Sequence, residues 1–255
     1  MSPVADRAQL IAFLDEILEP DAFEDMGPNG LQVPGADRVD VVVTGVSAGL
    51  ELFERAAEAG ADLVLCHHGL FWDFQPRSLT PPAKRRLEAL FAADMSLAAY
   101  HLPLDAHQEH GNNALICSAL GLDRGEPFGM AGRRPIGFVG RSAEGIAADE
   151  LVDRCRETFG QEPFAWLVGP EAVHALGVIS GAAHSYLHEA AQRGLDGLLT
   201  GEPAEHAMAD AREAGLHFLA CGHYATETLG VRKLGQLLAD RFGVEHRFID
   251  VPNPI

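Results

Sequence analysis

The main structural and functional signal of this chain lies in one stretch, Ala61-Asp62-Leu63-Val64-Leu65-Cys66-His67-His68-Gly69. Its branched apolar residues are typical of a buried β-strand, and two adjacent histidines stand at the end of that strand. Because successive side chains of a strand point to opposite faces, the two imidazoles converge only where the strand ends and the backbone turns at Gly69. Open α/β sheets bind ligands at the carboxyl ends of their strands, so the pair is a candidate site. Taken alone, the pair is better explained by one buried, hydrogen-bonded histidine and one solvated loop residue.

Composition excludes several classes of protein. The chain has 255 residues, of which 47% are hydrophobic and 22% charged, which is typical of a globular protein with a large core. A net charge of −18 repels nucleic acid, and the basic clusters at residues 84–86 and 133–134 are too short to bind it. No apolar run reaches the roughly 18–20 residues that span a bilayer, and the N-terminus does not resemble a signal peptide. We expect a cytoplasmic protein with neither nucleic acid nor membrane as a partner.

The four cysteines show no Cys-x-x-Cys spacing. They are expected to be reduced, buried, small hydrophobic residues. Cys66 and Cys221 directly precede candidate ligands, so thiolate ligation at these two positions is the alternative.

Hydrophobic periodicity predicts alternating helices and strands in the first half. Strands are predicted at residues 39–43, 61–66 and 96–100, and helices at residues 7–18, 50–59, 83–93 and 112–120. Residues 71–82, with three prolines, are predicted to form a loop. This order indicates an α/β fold with a mostly parallel sheet covered by helices.

The second half repeats the first. Residues 135–139 are predicted to be extended at the start of this half, and a helix is predicted from residue 223 to residue 238. Residues 195–202 align with 61–68, which places Gly201-Glu202 opposite His67-His68. His101-Leu102-Pro103-Leu104-Asp105 then aligns with His223-Tyr224-Ala225-Thr226-Glu227. The interval from His67 to His101 is 34 residues and that from Gly201 to His223 is 22, a difference that the 71–82 loop accounts for.

We therefore predict two intertwined, internally duplicated α/β units with mixed, mostly parallel sheets flanked by helices. The first repeat is assigned to residues 1–125 and the second to residues 126–255, with the C-terminal segments able to pack on the first unit. A metal site is expected between the two.

Seven residues at the carboxyl ends of predicted strands are candidates for chemistry: His67, His68, His101, Asp105, Glu202, His223 and Glu227. Imidazole and carboxylate ligands together suit Zn, Mn, Fe, Co or Ni. Four or more such ligands exceed what one structural zinc needs, and carboxylates can bridge the two ions of a hydrolytic site, which lie about 3.5–4 Å apart. Two ions are therefore favoured over one.

Each candidate has an ordinary explanation when it is taken singly. His101 and Asp105 are also explained by a loop hydrogen bond, and His223 and Glu227 by a surface pair at helical spacing. Glu202 is explained by a helix start, where an acidic residue is favourable. Their joint occurrence in both halves is what favours a site. His107 and His110 are weaker candidates for supporting it.

These motifs resemble a known family. Cys66-His67-His68-Gly69, Tyr100-His101-Leu102-Pro103-Leu104-Asp105, Thr200-Gly201-Glu202 and Gly222-His223-Tyr224-Ala225-Thr226-Glu227 are similar to the NIF-three-like proteins, often labelled "GTP cyclohydrolase 1 type 2 homolog" or dinuclear metal centre proteins. The resemblance implies a duplicated α/β fold, a dinuclear site and a toroidal homohexamer. It also implies His67, His68, Asp105, His223 and Glu227 as metal ligands, with His101 beside or on the metals. Nothing in the sequence indicates a guanine pocket.

Two classes of function follow. The first is a metal-dependent hydrolase of a small molecule, in which a metal-bridging hydroxide attacks and His101 or Glu202 moves protons. Its substrate, taken from the family label, is a purine nucleotide whose ring is opened. The second is a non-catalytic metal store, delivery protein or scaffold. An interaction platform with a vestigial site is a third interpretation.

Overall fold

The structure, a computed structural model, describes residues 5–255. The chain forms two compact units. The first runs up to Leu104 and adds Gly230–Val251, and the second comprises Asp105–Leu229 and Pro252–Ile255. These compact units do not divide between residues 125 and 126. That boundary was drawn between the two repeats of the sequence and not between compact units, so it stays a prediction.

Strands and helices alternate along most of the chain. The strands are β1 (Ala5–Asp6), β2 (Gly30–Val33), β3 (Arg38–Val39), β4 (Val41–Ser47), β5 (Leu63–His68), β6 (Ser96–Ala99), β7 (Asp123–Ala131), β8 (Arg134–Ala147), β9 (Phe164–Trp166), β10 (Ala172–Val178), β11 (Gly197–Thr200), β12 (His217–Ala220) and β13 (Glu245–Phe248). The helices are α1 (Arg7–Leu18), α2 (Leu50–Glu58), α3 (Pro81–Ala92), α4 (Leu102–Ala106), α5 (Asn112–Ala119), α6 (Ala148–Phe159), α7 (Leu187–Gln192), α8 (Ala207–Ala214), α9 (His223–Thr226) and α10 (Thr228–Phe242). Short 3₁₀ turns occupy Pro20–Ala22 and His184–Tyr186.

The first unit contains a five-stranded sheet in the order β13-β4-β5-β6-β2. The first four strands pair in parallel, and β2 pairs antiparallel with β6. The register sets His68 opposite Ser47 and Cys66 opposite Ala99. The carboxyl ends of β4, β5 and β6 therefore meet at one edge of the sheet, where both histidines of β5 stand. Phe53 of α2, Leu90 of α3 and Leu97 of β6 are fully buried in its core.

The second unit contains a six-stranded sheet in the order β7-β8-β10-β11-β12-β9. Only β10, β11 and β12 pair in parallel, and the other three pairings are antiparallel. Three parallel strands with an antiparallel neighbour at one side thus recur in both sheets, as β4-β5-β6-β2 and as β10-β11-β12-β9. The predicted α/β class with mixed sheets flanked by helices is confirmed.

Each unit has an aspartate at the aligned position that links two neighbouring strands by hydrogen bonds. The Asp62 carboxylate accepts hydrogen bonds from the backbone N–H groups of Asp40 and Val41 at 2.8 and 3.0 Å. Asp196 accepts from His174 and Ala175 at 2.7 and 2.8 Å in the second unit. The sequence alignment placed Asp196 on Asp62, and the two residues perform the same structural task.

The hairpin of β7 and β8 is the main departure from the sequence-based expectation. Only residues 135–139 were expected to be extended here, whereas β8 covers Arg134–Ala147 and β7 covers Asp123–Ala131. Gly125 and Pro127 interrupt the alternation of polar and apolar residues, and the register shifts between Arg124 and Pro127. A strand with such an irregularity gives no period-two signal.

Helix bounds near the candidate residues also differ from expectation. The helix expected from His223 to Leu238 is divided into α9 and α10 at Glu227, whose φ is −108° and ψ is 5°. The segment after His101, for which a loop hydrogen bond between His101 and Asp105 was the alternative explanation, is the short helix α4. Both changes place an acidic side chain at or near the end of a single helical turn.

All four cysteines are free and buried, as expected. Burial raises the pKa of the Cys66 thiol well above its ordinary value and that of Cys117 to about 12. The neutral thiol is therefore the stable form of both residues. Within residues 5–255, no helix is long and apolar enough to cross a bilayer.

Asp62→Ala should lower the free energy of unfolding by about 1–2 kcal/mol, because two backbone N–H groups at the start of β4 lose their acceptor. Urea unfolding monitored by circular dichroism measures this change. Asp196→Ala should produce a similar loss, whereas Asp40→Ala removes an exposed side chain and should change little. Equal stabilities of Asp62→Ala and Asp40→Ala would contradict the assigned role.

His246 should make stability depend on pH. Its Nε2 lies 2.8 Å from Thr44 Oγ1, and a Cβ on Gly235 would come within 2.1 Å of that nitrogen, so α10 lies directly on the ring. Burial, aided by the charge of Arg232, lowers the pKa of His246. The unfolded chain therefore takes up a proton that the folded chain resists. The folded state therefore has its full stability above about pH 6.5, which is the pKa of histidine in the unfolded chain. It loses stability as the pH falls from there through the lowered pKa of His246 in the folded chain.

Urea unfolding from pH 8 to pH 5 should accordingly show a steeper loss of stability in the wild type than in His246→Gln. The exposed His188→Gln should retain the wild-type dependence. Parallel curves for wild type and His246→Gln would refute this expectation.

Candidate metal centre

Three imidazoles of the first unit form a cluster. One nitrogen from each of His67, His68 and His101 lies within 4.8 Å of the others. His67 is fully buried and the other two are half-buried. Their ring centroids are 4.8 to 5.6 Å apart. This unit therefore brings together the double histidine of β5 and the histidine that follows β6.

His67 is held in one tautomer. Its Nδ1 lies 2.9 Å from the carbonyl oxygen of Tyr100. A carbonyl can only accept, so Nδ1 carries the hydrogen and the buried Nε2 keeps its lone pair. Metal-binding histidines commonly donate from the second ring nitrogen in this way. The arrangement suits a metal ligand.

His101 is oriented by an acidic residue that the sequence analysis did not select. Asp25 accepts from His101 Nδ1 at 2.7 Å and from the backbone N–H of Leu102 at 3.0 Å. Asn29 donates its side-chain amide to the same carboxylate and accepts the backbone N–H of His101. Burial raises the pKa of Asp25, but His101, Asn29 and the Leu102 N–H outweigh burial and leave the pKa below its ordinary value.

A sequence signal for Asp25 did exist. Asp25 and Asn29 flank Gly27-Pro28, in a segment whose composition is typical of a turn. The pattern indicates a turn but not which distant histidine the turn contacts. A separation of 76 residues between Asp25 and His101 is bridged only in the folded chain.

His68 is contacted on two sides. Its Nδ1 lies 3.0 Å from Ser47 Oγ, across the β4–β5 pair. The Trp72 indole lies 6.0 Å from the His68 ring and 5.1 Å, edge to face, from the His101 ring. Gly69 does not need a left-handed conformation here. It leaves space for Gln32, whose amide nitrogen would lie 2.2 Å from a Cβ at that position.

The second unit brings carboxylates together. Asp105 and Glu227 are 5% and 2% exposed and offer oxygens within 4.8 Å of one another. Asp105 Oδ1 accepts from Asn112 Nδ2 at 2.8 Å and from Ser180 Oγ at 3.0 Å. Two buried carboxylates so close repel each other unless a cation balances them. The donor set fits a divalent metal.

His223 lies between two acidic residues. Its Nε2 is 3.1 Å from Glu227 Oε1, and its Nδ1 forms a short hydrogen bond with Glu202. Burial alone lowers the pKa of His223, but the hydrogen bonds and charges of Glu227 and Glu202 outweigh it and raise the pKa to about 9. Without a metal, the imidazolium supplies part of the charge that these carboxylates require.

The asymmetry between the two halves has a steric cause. Gly201 stands where the alignment places His67. A Cβ on Gly201 would lie 2.7 Å from both Gly181 O and His223 Cα, and 2.9 Å from Thr226 Oγ1. The second unit therefore has no space for an imidazole at that position. Glu202, aligned with His68, contacts His223 instead.

Gly181→Ala should disturb the carboxylate cluster. Gly181 has a φ of +65°, and a Cβ there would lie 2.5 Å from Glu227 Oε1. Gly194→Ala is a matched control, because its φ is +64° and nothing lies within 4 Å of its Cβ position. Both changes cost the backbone strain of about 1–2 kcal/mol, and Gly181→Ala should add about 1–3 kcal/mol of overpacking.

Urea unfolding and elemental analysis of the purified variants check both effects. Gly181→Ala should also reduce the metal content, because it displaces Glu227. Equal stability and equal metal content in the two variants would contradict the predicted collision.

The comparisons with known proteins agree with the fold. A model of the family Duf34/NIF3 (NGG1p interacting factor 3) matches residues 5–254. A protein of Pseudomonas aeruginosa named "GTP cyclohydrolase 1 type 2 homolog" is 40% identical over 245 residues, covering 96% of this chain and 97% of that protein.

Two solved structures are similar over nearly the full length. A protein described as "protein ybgI, unknown function" has a TM-score of 0.93 and 36% identity, with coverage of 98% of this chain and 100% of that one. TTHA1606 from Thermus thermophilus has a TM-score of 0.86, 36% identity and the same coverage. The chain belongs to the Duf34/NIF3 family.

Proposed function

We propose that this protein is a metal-dependent hydrolase that binds two divalent ions. The proposed ligands are His67, His68, Asp105, His223 and Glu227. The observation that carries the proposal is the cluster of His67, His68 and His101, whose Nδ1 atoms each contact a carbonyl, hydroxyl or carboxylate oxygen. That arrangement leaves Nε2 as the ligand atom on His67 and His68 and as the proton acceptor on His101.

The identity of the ions is narrowed by the ligand chemistry. Imidazole nitrogens and carboxylate oxygens suit Zn, Fe, Mn, Co or Ni. Cys66 and Cys221 have raised thiol pKa values, for which burial and, at Cys221, a hydrogen bond with Cys155 are responsible. Both are therefore poor sources of thiolate, and the cysteines do not enter the proposed ligand set.

The residues around the cluster have distinct roles in the proposed hydrolysis. Divalent metals supply Lewis acidity and lower the pKa of water from 15.7 toward about 7. His101, fixed at Nδ1 by Asp25, presents Nε2 toward the cluster and is suited to accepting and returning a proton there. Glu202 contacts Nδ1 of His223, which suits it to orienting that imidazole as much as to moving a proton.

The substrate class comes from the relatives. The Pseudomonas aeruginosa relative carries the name "GTP cyclohydrolase 1 type 2 homolog". Purine nucleotide ring hydrolysis is accordingly the first reaction to test, followed by other amide, amidine and phosphoester substrates. The family resemblance further suggests a toroidal homohexamer, which small-angle scattering would reveal. A stable monomer in solution would count against that assembly.

A non-catalytic role is the second candidate. His67, Asp105 and Glu227 are at most 5% exposed, and such burial favours long retention of an ion over contact with a substrate. A metal store, delivery protein or scaffold would bind stoichiometric metal, exchange it reversibly and show no turnover.

His68→Ala should lower the metal content from about two ions per chain to one or fewer, because a ligand nitrogen is lost. Inductively coupled plasma mass spectrometry of protein purified without added metal measures this content. The exposed His188→Ala is the control for removal of a histidine. If both variants retain the wild-type content, His68 is not a ligand.

His101→Gln and Asp105→Asn should each reduce kcat by about 10²–10⁴-fold for any substrate that the metal-loaded protein hydrolyses. Asp105→Asn keeps an oxygen for Asn112 and Ser180, so folding should survive. Release of formate from GTP, followed by a coupled assay, is the first measurement. Absence of turnover across a nucleotide, peptide and phosphoester panel would reject the hydrolase and favour the store.

A further inference from the structure

The loop after His68 forms a pocket in the first unit. Residues 70–80 and the first turns of α3 enclose about 580 Å³. This volume is within the range of about 300–1,000 Å³ that is typical of small-molecule sites. The corresponding interval of the second half is 12 residues shorter, as Gly201 to His223 spans 22 residues and His67 to His101 spans 34. The loop is thus an insertion into the first unit and does not belong to the fold that the two halves share.

Trp72 forms a wall shared by this pocket and the imidazole cluster. It lines the pocket, and the edge of its ring system lies against His101, with centroids 5.1 Å apart. Its Nε1 donates to the carbonyl of Gly69 at 3.0 Å, and its ring stacks on Phe74 with an interplanar angle of 20°. The indole is therefore fixed in place, and it would lie between His101 and a ring that is bound against it from the pocket.

The charge of the pocket is opposite to that of the chain. Arg77 and Arg86 line it, whereas Asp73 is the acidic residue among those that line it. Over residues 5–255, neither guanidinium is paired with a carboxylate. The chain as a whole carries a net charge of −18. Two unpaired arginines at one pocket of so acidic a protein favour an anion, and their planar donors match phosphate.

We propose that this pocket binds a nucleotide-sized phosphorylated ligand, with its planar ring against Trp72 and its phosphates on Arg77 and Arg86. The proposal rests on the proposed function and assigns its substrate a binding pocket next to the imidazole cluster. Binding itself needs no metal, so it is tested separately from metal content and turnover.

The test is GTP binding to the full-length, chelator-treated protein. The chain has two tryptophans, so Trp166→Phe leaves Trp72 as the fluorescent reporter. Saturable quenching by GTP is expected. Arg77→Ala and Arg86→Ala should each raise the Kd by about tenfold or more, because a charge-assisted contact is lost. Arg85→Ala is the matched control, since Arg85 is exposed on the same helix and does not line the pocket.

Binding of ligand fragments distinguishes the ring-binding part of the pocket at Trp72 from the phosphate-binding part at Arg77 and Arg86. Guanosine should bind more weakly than GTP, with a Kd that the arginine variants leave unchanged. Tripolyphosphate should bind weakly in the wild type and lose its affinity in those variants. Trp72→Leu, measured by calorimetry, should weaken both GTP and guanosine.

Two results would overturn the proposal. One is the absence of saturable GTP binding at millimolar concentration. The other is an equal Kd for Arg77→Ala, Arg86→Ala and Arg85→Ala. If either occurs while His68→Ala still loses metal, the pocket assignment fails and the metal-binding proposal stands.

Discussion

The hydrogen bond from His67 Nδ1 to the carbonyl of Tyr100 is the interaction on which the candidate centre depends. It joins the ends of two neighbouring parallel strands, β5 and β6. It also fixes the tautomer of a fully buried imidazole. Because the ring cannot rotate without breaking this bond, Nε2 keeps one direction. His68 and His101, each with its own oxygen contact at Nδ1, are then arranged around a fixed first nitrogen.

The two halves share one arrangement of strands but carry different side chains at the aligned site positions. Asp62 and Asp196 each accept two backbone hydrogen bonds from a neighbouring strand. Each sheet also contains a run of three parallel strands followed by an antiparallel strand. The site residues have nevertheless diverged. The first unit has the imidazole of His67 where the second unit has Gly201, which lies against His223 and Gly181 with no space for a side chain. Aligned positions of the two units can therefore carry different side chains without any change of fold.

Charge is distributed unevenly around these groups. Asp105 and Glu227 are buried together in a chain of net charge −18, and His223 supplies positive charge beside them. Such a cluster favours a cation over any anionic ligand. Arg77 and Arg86 line a separate pocket in the first unit, where an anion is favoured instead. A protein that acts on an anionic substrate with a cation needs both environments, and Trp72 lies between the imidazoles and the arginine-lined pocket.

The amino-acid sequence predicts the fold class, which the structure confirms, and it indicates a repeat and a set of candidate residues. Apolar strands, helix periodicity and the recurring His-x-x-x-acid spacing are local signals, and seven candidate residues could be named from them. Local patterns could not determine which residues orient the imidazoles. Asp25 reaches His101 across 76 residues, and Ser180 reaches Asp105 across 75. The hairpin of β7 and β8 was also hidden, because Pro127 and a register shift remove its alternation. The exclusion of a side chain at Gly201 and the pocket formed by residues 70–80 are visible only in the folded chain, since both depend on contacts that local sequence patterns do not encode.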